Sequence, residues 1–210
     1  KNKTYLQVVE RIYKSLEETF KSGKLYISAH DADTDHVEGD TYVWEADEFQ
    51  ELFSEEEFKI FCERYEILEG SNFEGKIHLI QKGEFVADEL EDKLLAVRKH
   101  RSQPFADRKL VSSWNALAGV SLITAYRASG DIIYLNRSKE LFDELMDKHF
   151  IDCKIIHSSL DDKLQTEEFL EDYASLLLFV SYIHEERGGM ESMMNQLEEK
   201  IDTFHDGDWI

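Results

Sequence analysis

The sequence predicts a mainly α chain of layered helical hairpins with short β pieces. Three observations carry this. There is one proline, Pro104, in 210 residues. Apolar residues recur at helical spacing over several long stretches. And segments apolar nearly all round alternate with amphipathic ones, as expected of buried inner helices backed by half-wet outer ones.

Taken in order, Tyr5, Val8, Val9, Ile12, Leu16 and Phe20 share one helical face, and Gly23 is a natural stop. Leu25 to Ala29 reads as a short strand, residues 30–40 as a polar loop, and Thr41 to Trp44 as β-type residues that pair back across it. From Ala46 the pattern turns helical, with Phe49, Leu52 and Phe53 on one face. Ser54 with Glu57 three residues on is a capping box before Phe58, Phe61, Cys62 and Tyr65. Residues 69–75 read as loop and Lys76 to Lys82 as a short strand. Asp88 starts a helix carrying Leu90, Leu94, Leu95 and Val97, and 101–110 around Pro104 is loop.

Residues 113–129 carry one charge, Arg127, so this helix is buried on most sides. Its Ala116, Ala118, Gly119, Ala125 and Ala128 permit close helix packing, and Gly130 ends it. An amphipathic helix over 132–149 presents Tyr134, Leu135, Leu141, Phe142 and Leu145. Residues 150–165 read as loop with a short extended piece. A second largely apolar helix covers 167–186 and breaks at Gly188-Gly189. The last, about 190–204, carries Met190, Met193, Met194, Leu197, Ile201 and Phe204, with the methionines as core filler.

Charge narrows the function. Lys plus Arg number 24 and Asp plus Glu 45, a net charge of −21. Such a chain repels phosphates, which excludes nucleic acid as a partner, and it repels anionic membrane surfaces. The longest fully apolar run, Leu176 to Val180, falls far short of the roughly 20 residues of a spanning helix. Cys62 and Cys153 form no metal pattern and sit among apolar residues. Both read as buried thiols in a reducing, cytoplasmic setting.

Three constellations could carry chemistry. Asp31-x-Asp33-x-Asp35 suggests a calcium loop, but His36 and Tyr42 stand where the twelve-residue loop needs Gly and Glu. A turn in which Asp side chains bond backbone NH groups is the favoured reading, with no ordered ion expected at Asp31, Asp33 and Asp35. The eight histidines show no ligand spacing, so neither a metal nor a cofactor is expected. The second constellation runs from Asp107 to Asn115. Trp114 and Asn115 fall in the first turn of a buried helix, with Asp107 and Lys109 just before it. An aromatic face for a pyranose ring, with amide, carboxylate and ammonium groups for hydroxyls, makes a sugar-binding set. Capping by Ser113, packing by Trp114 and pairing of Asp107 with its basic neighbours is the structural reading of the same residues. The third is Glu171-Asp172-Tyr173, at the start of the other apolar helix, where the dipole favours a carboxylate.

DADTDHVEGDTYVW (31–44), NFEG (72–75), DRKLVSSWNALAG (107–119) and LEDYASLL (170–177) occur in this order. Together they resemble the thioredoxin-linked spermatogenesis-associated protein family. The resemblance implies a helical (α/α) toroid, similar to six-hairpin glycosidases and N-acylglucosamine 2-epimerase, preceded by a thioredoxin-like domain. On that basis the 210 residues form one helical domain, a middle section of a longer toroid, with the thioredoxin-like domain lying before Lys1. Arg108 and Ala116 depart from the family's usual acid and glycine, and Asp40 stands where it often has lysine.

The implied function is a carbohydrate-binding or carbohydrate-active toroid domain. The alternative is a non-catalytic scaffold serving the attached thioredoxin-like domain. Glycoside hydrolysis needs two facing carboxylates, and Asp107 with Asp172 are the catalytic candidates. Asp31, Asp33, Glu38, Trp44, Asn72, Glu74, Lys109, Trp114, Asn115 and Tyr173 are the candidate substrate-binding residues. The expected partners are a sugar or small polar ligand, and a second copy through the open toroid edges, with the Met190, Met194 and Leu197 face as the contact. Asp107, Lys109, Trp114, Asn115 and Asp172 are expected to converge on one polar cavity, with the 31–44 loop on its rim.

Overall fold

A computed structural model describes residues 2–66, 73, 75–83, 88–161 and 163–205. Its helices are α1 (Lys3–Ser15), α2 (Ala46–Leu52), α3 (Glu55–Arg64), α4 (Glu89–Lys99), α5 (Ser112–Ser129), α6 (Ile132–His149), α7 (Leu170–Arg187) and α8 (Glu191–Asp202), joined by two- and three-residue antiparallel strands. The chain is mainly α with short β pieces and packed helix pairs. It divides into two compact units, one of Val9–Ala29 with residues 107–210, the other of Asn2–Val8 with His30–Ala106.

The first unit is built on α5. This helix packs against both α6 and α7, and α7 packs against α8. Its sequence suits that place: few side chains are long, and Ala116, Leu122 and Ile123 are buried. The close approach to α7 depends on Gly119, because the Phe179 ring fills the space a β-carbon would take. The Gly119 carbonyl also accepts a 2.9 Å hydrogen bond from the Ser138 hydroxyl of α6. Leu141, Phe142 and Leu145 of α6 and Leu176, Phe179, Val180 and Ile183 of α7 close the core. Each such side chain contributes roughly 1.5–3 kcal/mol on burial. Gly130, at φ 83°, ends α5 in the left-handed conformation that a C-terminal glycine supplies without strain.

The second unit has an aromatic core of Trp44, Phe49, Phe53, Phe61 and Tyr65 with Ile77, Leu90 and Leu94. Phe61 is central, with ring centroids 4.8 Å from Phe49 and 5.0 Å from Phe53 and Tyr65. The Ser54–Glu57 capping box forms as the sequence indicates.

Several local expectations are corrected. Residues 150–165 hold two hairpins, Phe150–Ile151 with Lys154–Ile155 and Ser158–Leu160 with Lys163–Gln165. Leu110–Val111 adds a third strand beside Ser158–Leu160. In place of a strand over 41–44 there is a single bridge between Trp44 and Ile77. Residues 31–40 contain a small hairpin, Asp33–Thr34 with Val37–Glu38, turning on Asp35 and His36 at positive φ. Cys153 is exposed, because it sits with Asp152 on a hairpin tip, and Cys62 is half-buried; both thiols are free. Leu197 is buried and Met190, Met193 and Met194 pack against the core, so the expected association face is covered by the chain's own α7. No described helix is long and apolar enough to cross a membrane.

Candidate functional site at the N-terminal turns of α5 and α7

The two most apolar helices begin side by side. Asp172, wholly buried in the first turn of α7, accepts a 3.2 Å hydrogen bond from the Ser113 backbone N–H of α5. One free amide of α5 is thereby satisfied by a carboxylate from the neighbouring helix, where the dipole favours it. The Ser113 hydroxyl donates to Glu171 at 2.8 Å, so Ser113 links the helices by both its groups and does not cap α5. The position before the helix is Val111.

The other Asp172 oxygen lies 2.8 Å from Nδ1 of His157. His157 reaches it because its backbone is pinned on both sides. Its carbonyl accepts from Ser112 N–H at 2.9 Å, and its N–H donates to the Gln165 carbonyl at 3.0 Å. The imidazole is partly exposed and tilts against the Phe169 ring, 4.5 Å between centroids. Burial raises the Asp172 carboxyl above its usual range, with His157 and the Ser113 N–H offsetting part of the rise. With Nδ1–H directed at the carboxylate, Nε2 is the basic nitrogen of the neutral ring. A buried acid that orients a partly exposed imidazole is a proton-transfer arrangement. Trp114, one residue beyond Ser113, is 52% exposed, and Phe169 and Leu170 also reach solvent.

The remaining candidate residues have separate places. Asn115 is buried and wholly engaged: Oδ1 accepts from Tyr26 N–H at 2.7 Å, and Nδ2 donates to the Tyr26 and Val111 carbonyls at 3.0 and 2.9 Å. Tyr173 is buried, its hydroxyl donating to Glu168 and accepting from Ile155 N–H. Asp107 accepts from the Lys109 N–H at 3.1 Å and pairs with its ammonium at 3.2 Å. The Lys109 N–H, followed by that ammonium, holds the Asp107 carboxyl below its usual range. Within the expected set, Asp172 thus meets α5 directly beside Trp114, while Asn115 turns inward to Tyr26 and Asp107 turns to Lys109.

In the second unit, Trp44 is buried beneath Arg101, whose guanidinium lies 4.0 Å from the ring centre. Arg101 also donates to the Thr41 and Val43 carbonyls and pairs with Glu48, which makes Trp44 part of a structural clamp. Asp31 accepts from Asp33 N–H at 3.3 Å, the turn-type bond weighed against a calcium loop. Asp33 and Glu38 are exposed and stand opposite one another in the small hairpin. Among the described residues no three His, Cys, Asp or Glu side chains gather to hold a metal ion. Asn72 and Glu74 lie outside the described residues.

Sequence reasoning missed His157 as a member of the cluster; it had Glu171 beside Asp172, and gave Ser113 a capping role in place of the link it makes to α7. No local signal marks His157, since Ile155-Ile156-His157-Ser158-Ser159-Leu160 shows no strand alternation and His157 sits just before the strand Ser158–Leu160.

No model of a known protein family matches the chain. It is 24% identical over 176 residues to the uncharacterized protein B0495.5 of Caenorhabditis elegans, an overlap of 63% of this chain and 24% of the worm protein. The chain thus spans about a quarter of the length of the curated relative it matches.

Proposed function

We propose that this chain is the carbohydrate-binding or carbohydrate-active portion of an (α/α) toroid of the thioredoxin-linked spermatogenesis-associated type. Its ligand face is the shared N-terminal end of α5 and α7. The observation that carries the reading is the Asp172–His157 pair, set beside the exposed Trp114. The Trp114 ring offers a pyranose a stacking face, and His157 offers its Nε2 to a hydroxyl. The chain's charge of −21 favours a neutral ligand over an anionic one. The acid–base role assigned to a carboxylate pair passes to Asp172 acting through His157. Asp107, held ionised by Lys109, serves as a fixed negative charge. The two free thiols support a reducing, cytoplasmic setting for the same domain.

Thermal-shift screening with neutral mono- and oligosaccharides tests this. A sugar that raises the melting temperature of the wild type, and does so less in a folded Trp114→Ala variant, supports the reading. Equal stabilisation of the two, or none by any sugar, defeats it.

A second reading, the non-catalytic scaffold for a thioredoxin-like domain, draws on a different observation. Exposed Trp114, Leu117, Ser121 and Thr124 on α5, and Leu170, Ala174 and Leu178 on α7, carry no charge, in a chain of which 33% is charged. Such a stripe suits a protein surface better than water. Self-association belongs to this reading, on the α5–α7 stripe and not on the methionine face. Sedimentation tests the self-association, which a monomer at all concentrations removes, and a titration with a thioredoxin-like domain tests the scaffold: no binding leaves only the first reading.

A further inference from the structure

His149, the last residue of α6, is buried and neutral, and its two ring nitrogens are both engaged. Nδ1 lies 2.7 Å from the Ser112 hydroxyl of α5, and Nε2 lies 2.8 Å from the Ser159 hydroxyl. The Ser112 hydroxyl donates its one proton to the Ile156 carbonyl. Ser112 must therefore accept from His149, which places the ring proton on Nδ1 and leaves Nε2 to accept from Ser159. One proton arrangement satisfies the whole chain Ser159 to His149 to Ser112 to Ile156.

That relay surrounds the backbone that carries His157. The Ile156 N–H donates to the His149 carbonyl at 2.7 Å, and Ser112 N–H donates to the His157 carbonyl at 2.9 Å. Residues 156 and 157 are thus gripped between the end of α6 and the start of α5, and the grip closes through the imidazole. A second proton on that ring would turn Nε2 into a donor, so the Ser159 hydroxyl would have to give up its bond to the ring and rotate to accept, and it would bury a charge with no acid to meet it. Of the groups that face the ring, the Ser112 hydroxyl from α5, the Ser159 hydroxyl from the strand and the Ile156 carbonyl carry no charge. Lys148 on α6 is the charge that acts on it, and it opposes protonation.

We infer that the Ser112–His149–Ser159 relay is an acid-sensitive latch, closed while His149 is neutral, that holds the segment bearing His157 against α5. Its opening frees His157 from Asp172 and leaves the α5–α7 core intact. The inference stands on the relay alone, whether or not this end of the unit binds a sugar. The depressed ring basicity agrees with it: burial, then Lys148, lowers His149 from 6.5 to about 4. A latch with those values in its closed and open forms weakens by roughly seventyfold between about pH 7.5 and about pH 4.5.

Amide hydrogen exchange read by NMR, corrected for intrinsic rates, tests it on the whole chain. The expected result is a loss of protection of that order at the Ser112 and His157 amides over this pH range, with Ile123 and Val180 in the cores of α5 and α7 unchanged. In His149→Gln the loss should fall to a fewfold at most. In Asp172→Asn it should persist, since the trigger is not the Asp172–His157 pair. A flat wild-type profile, simultaneous loss at Ile123 and Val180, the same loss in His149→Gln, or its disappearance in Asp172→Asn would each overturn the latch. Imidazole nitrogen spectra of the wild type give a check that needs no variant. A His149 ring protonated on Nε2 at neutral pH, or one titrating at the ordinary value, contradicts it.

Discussion

The tip of the Phe179 ring occupies the space where a β-carbon on Gly119 would stand. Because Gly119 lies in mid-helix, where glycine is otherwise unfavourable by about 1 kcal/mol, its presence is explained by the approach of α7 and not by backbone conformation. The neighbouring contact makes relief difficult, since the Phe142 ring of α6 meets Phe179 edge-on at 5.3 Å.

Gly119→Ala should therefore destabilise the protein despite the better helix propensity of alanine. Overpacking against a fully buried ring costs about 1–3 kcal/mol, which outweighs the propensity gain of about 1 kcal/mol where the ring cannot move. Urea unfolding followed by circular dichroism measures it. A variant as stable as the wild type would show that α5 and α7 are not in this contact.

Asn115→Ala should cost about 2–4 kcal/mol, because the Tyr26 N–H and carbonyl and the Val111 carbonyl lose their partner in a buried place. The same unfolding experiment reads the loss. Where the variant remains folded, its response to sugars should match the wild type, which separates Asn115 from its neighbour Trp114.

Glu168 gives a pH signature of its own. It accepts from the Tyr173 hydroxyl and pairs with Lys200 of α8 at 2.9 Å and Lys154 at 3.3 Å. The Tyr173 bond first, then Lys200, lowers its carboxyl from 4.5 to about 2. A folded value below the unfolded one means the stabilisation is complete above pH 4.5 and is lost as pH falls toward 2. Tyr173→Phe removes the largest cause, so the acid-side decline of the urea midpoint across this window should become shallower. An unchanged slope would mean that Tyr173 does not hold Glu168.

The helical part of this fold was legible because its signals are local. Ser54 with Glu57, the small residues of 116–119 and the stop at Gly130 each act within one or two turns. The hairpins were not, because their turns avoid the usual Asn-Gly signal. Asp35 with His36, Asp152 with Cys153, and Asp161 take positive φ instead, a conformation that Asp tolerates better than most residues. Reading Asp as a turn residue at these places would have exposed Cys153 and set His157 between two hairpins, just before the strand Ser158–Leu160. The helix starts at Ser113 and Asp172 were visible as a place for polar groups. Which groups meet there was not, because the pairing of Asp172 with His157 depends on the register of Ser158–Leu160 against Leu110–Val111, which no local pattern encodes. Asn115 was misjudged for a related reason: an amide in the first turn of a helix can serve a ligand or a distant backbone, and Tyr26 lies 89 residues away.

The central claim is that the shared end of α5 and α7 receives a neutral sugar. The most direct measurement is NMR titration of the labelled chain with the sugars that stabilise it. The chain has three tryptophans, Trp44, Trp114 and Trp209, and Trp44 is buried in the second unit's core. The account expects shifts at the Trp114 indole and at His157, Phe169 and Leu170, with Trp44 and Asn115 unmoved. Saturable shifts elsewhere that leave Trp114 and His157 untouched would contradict it.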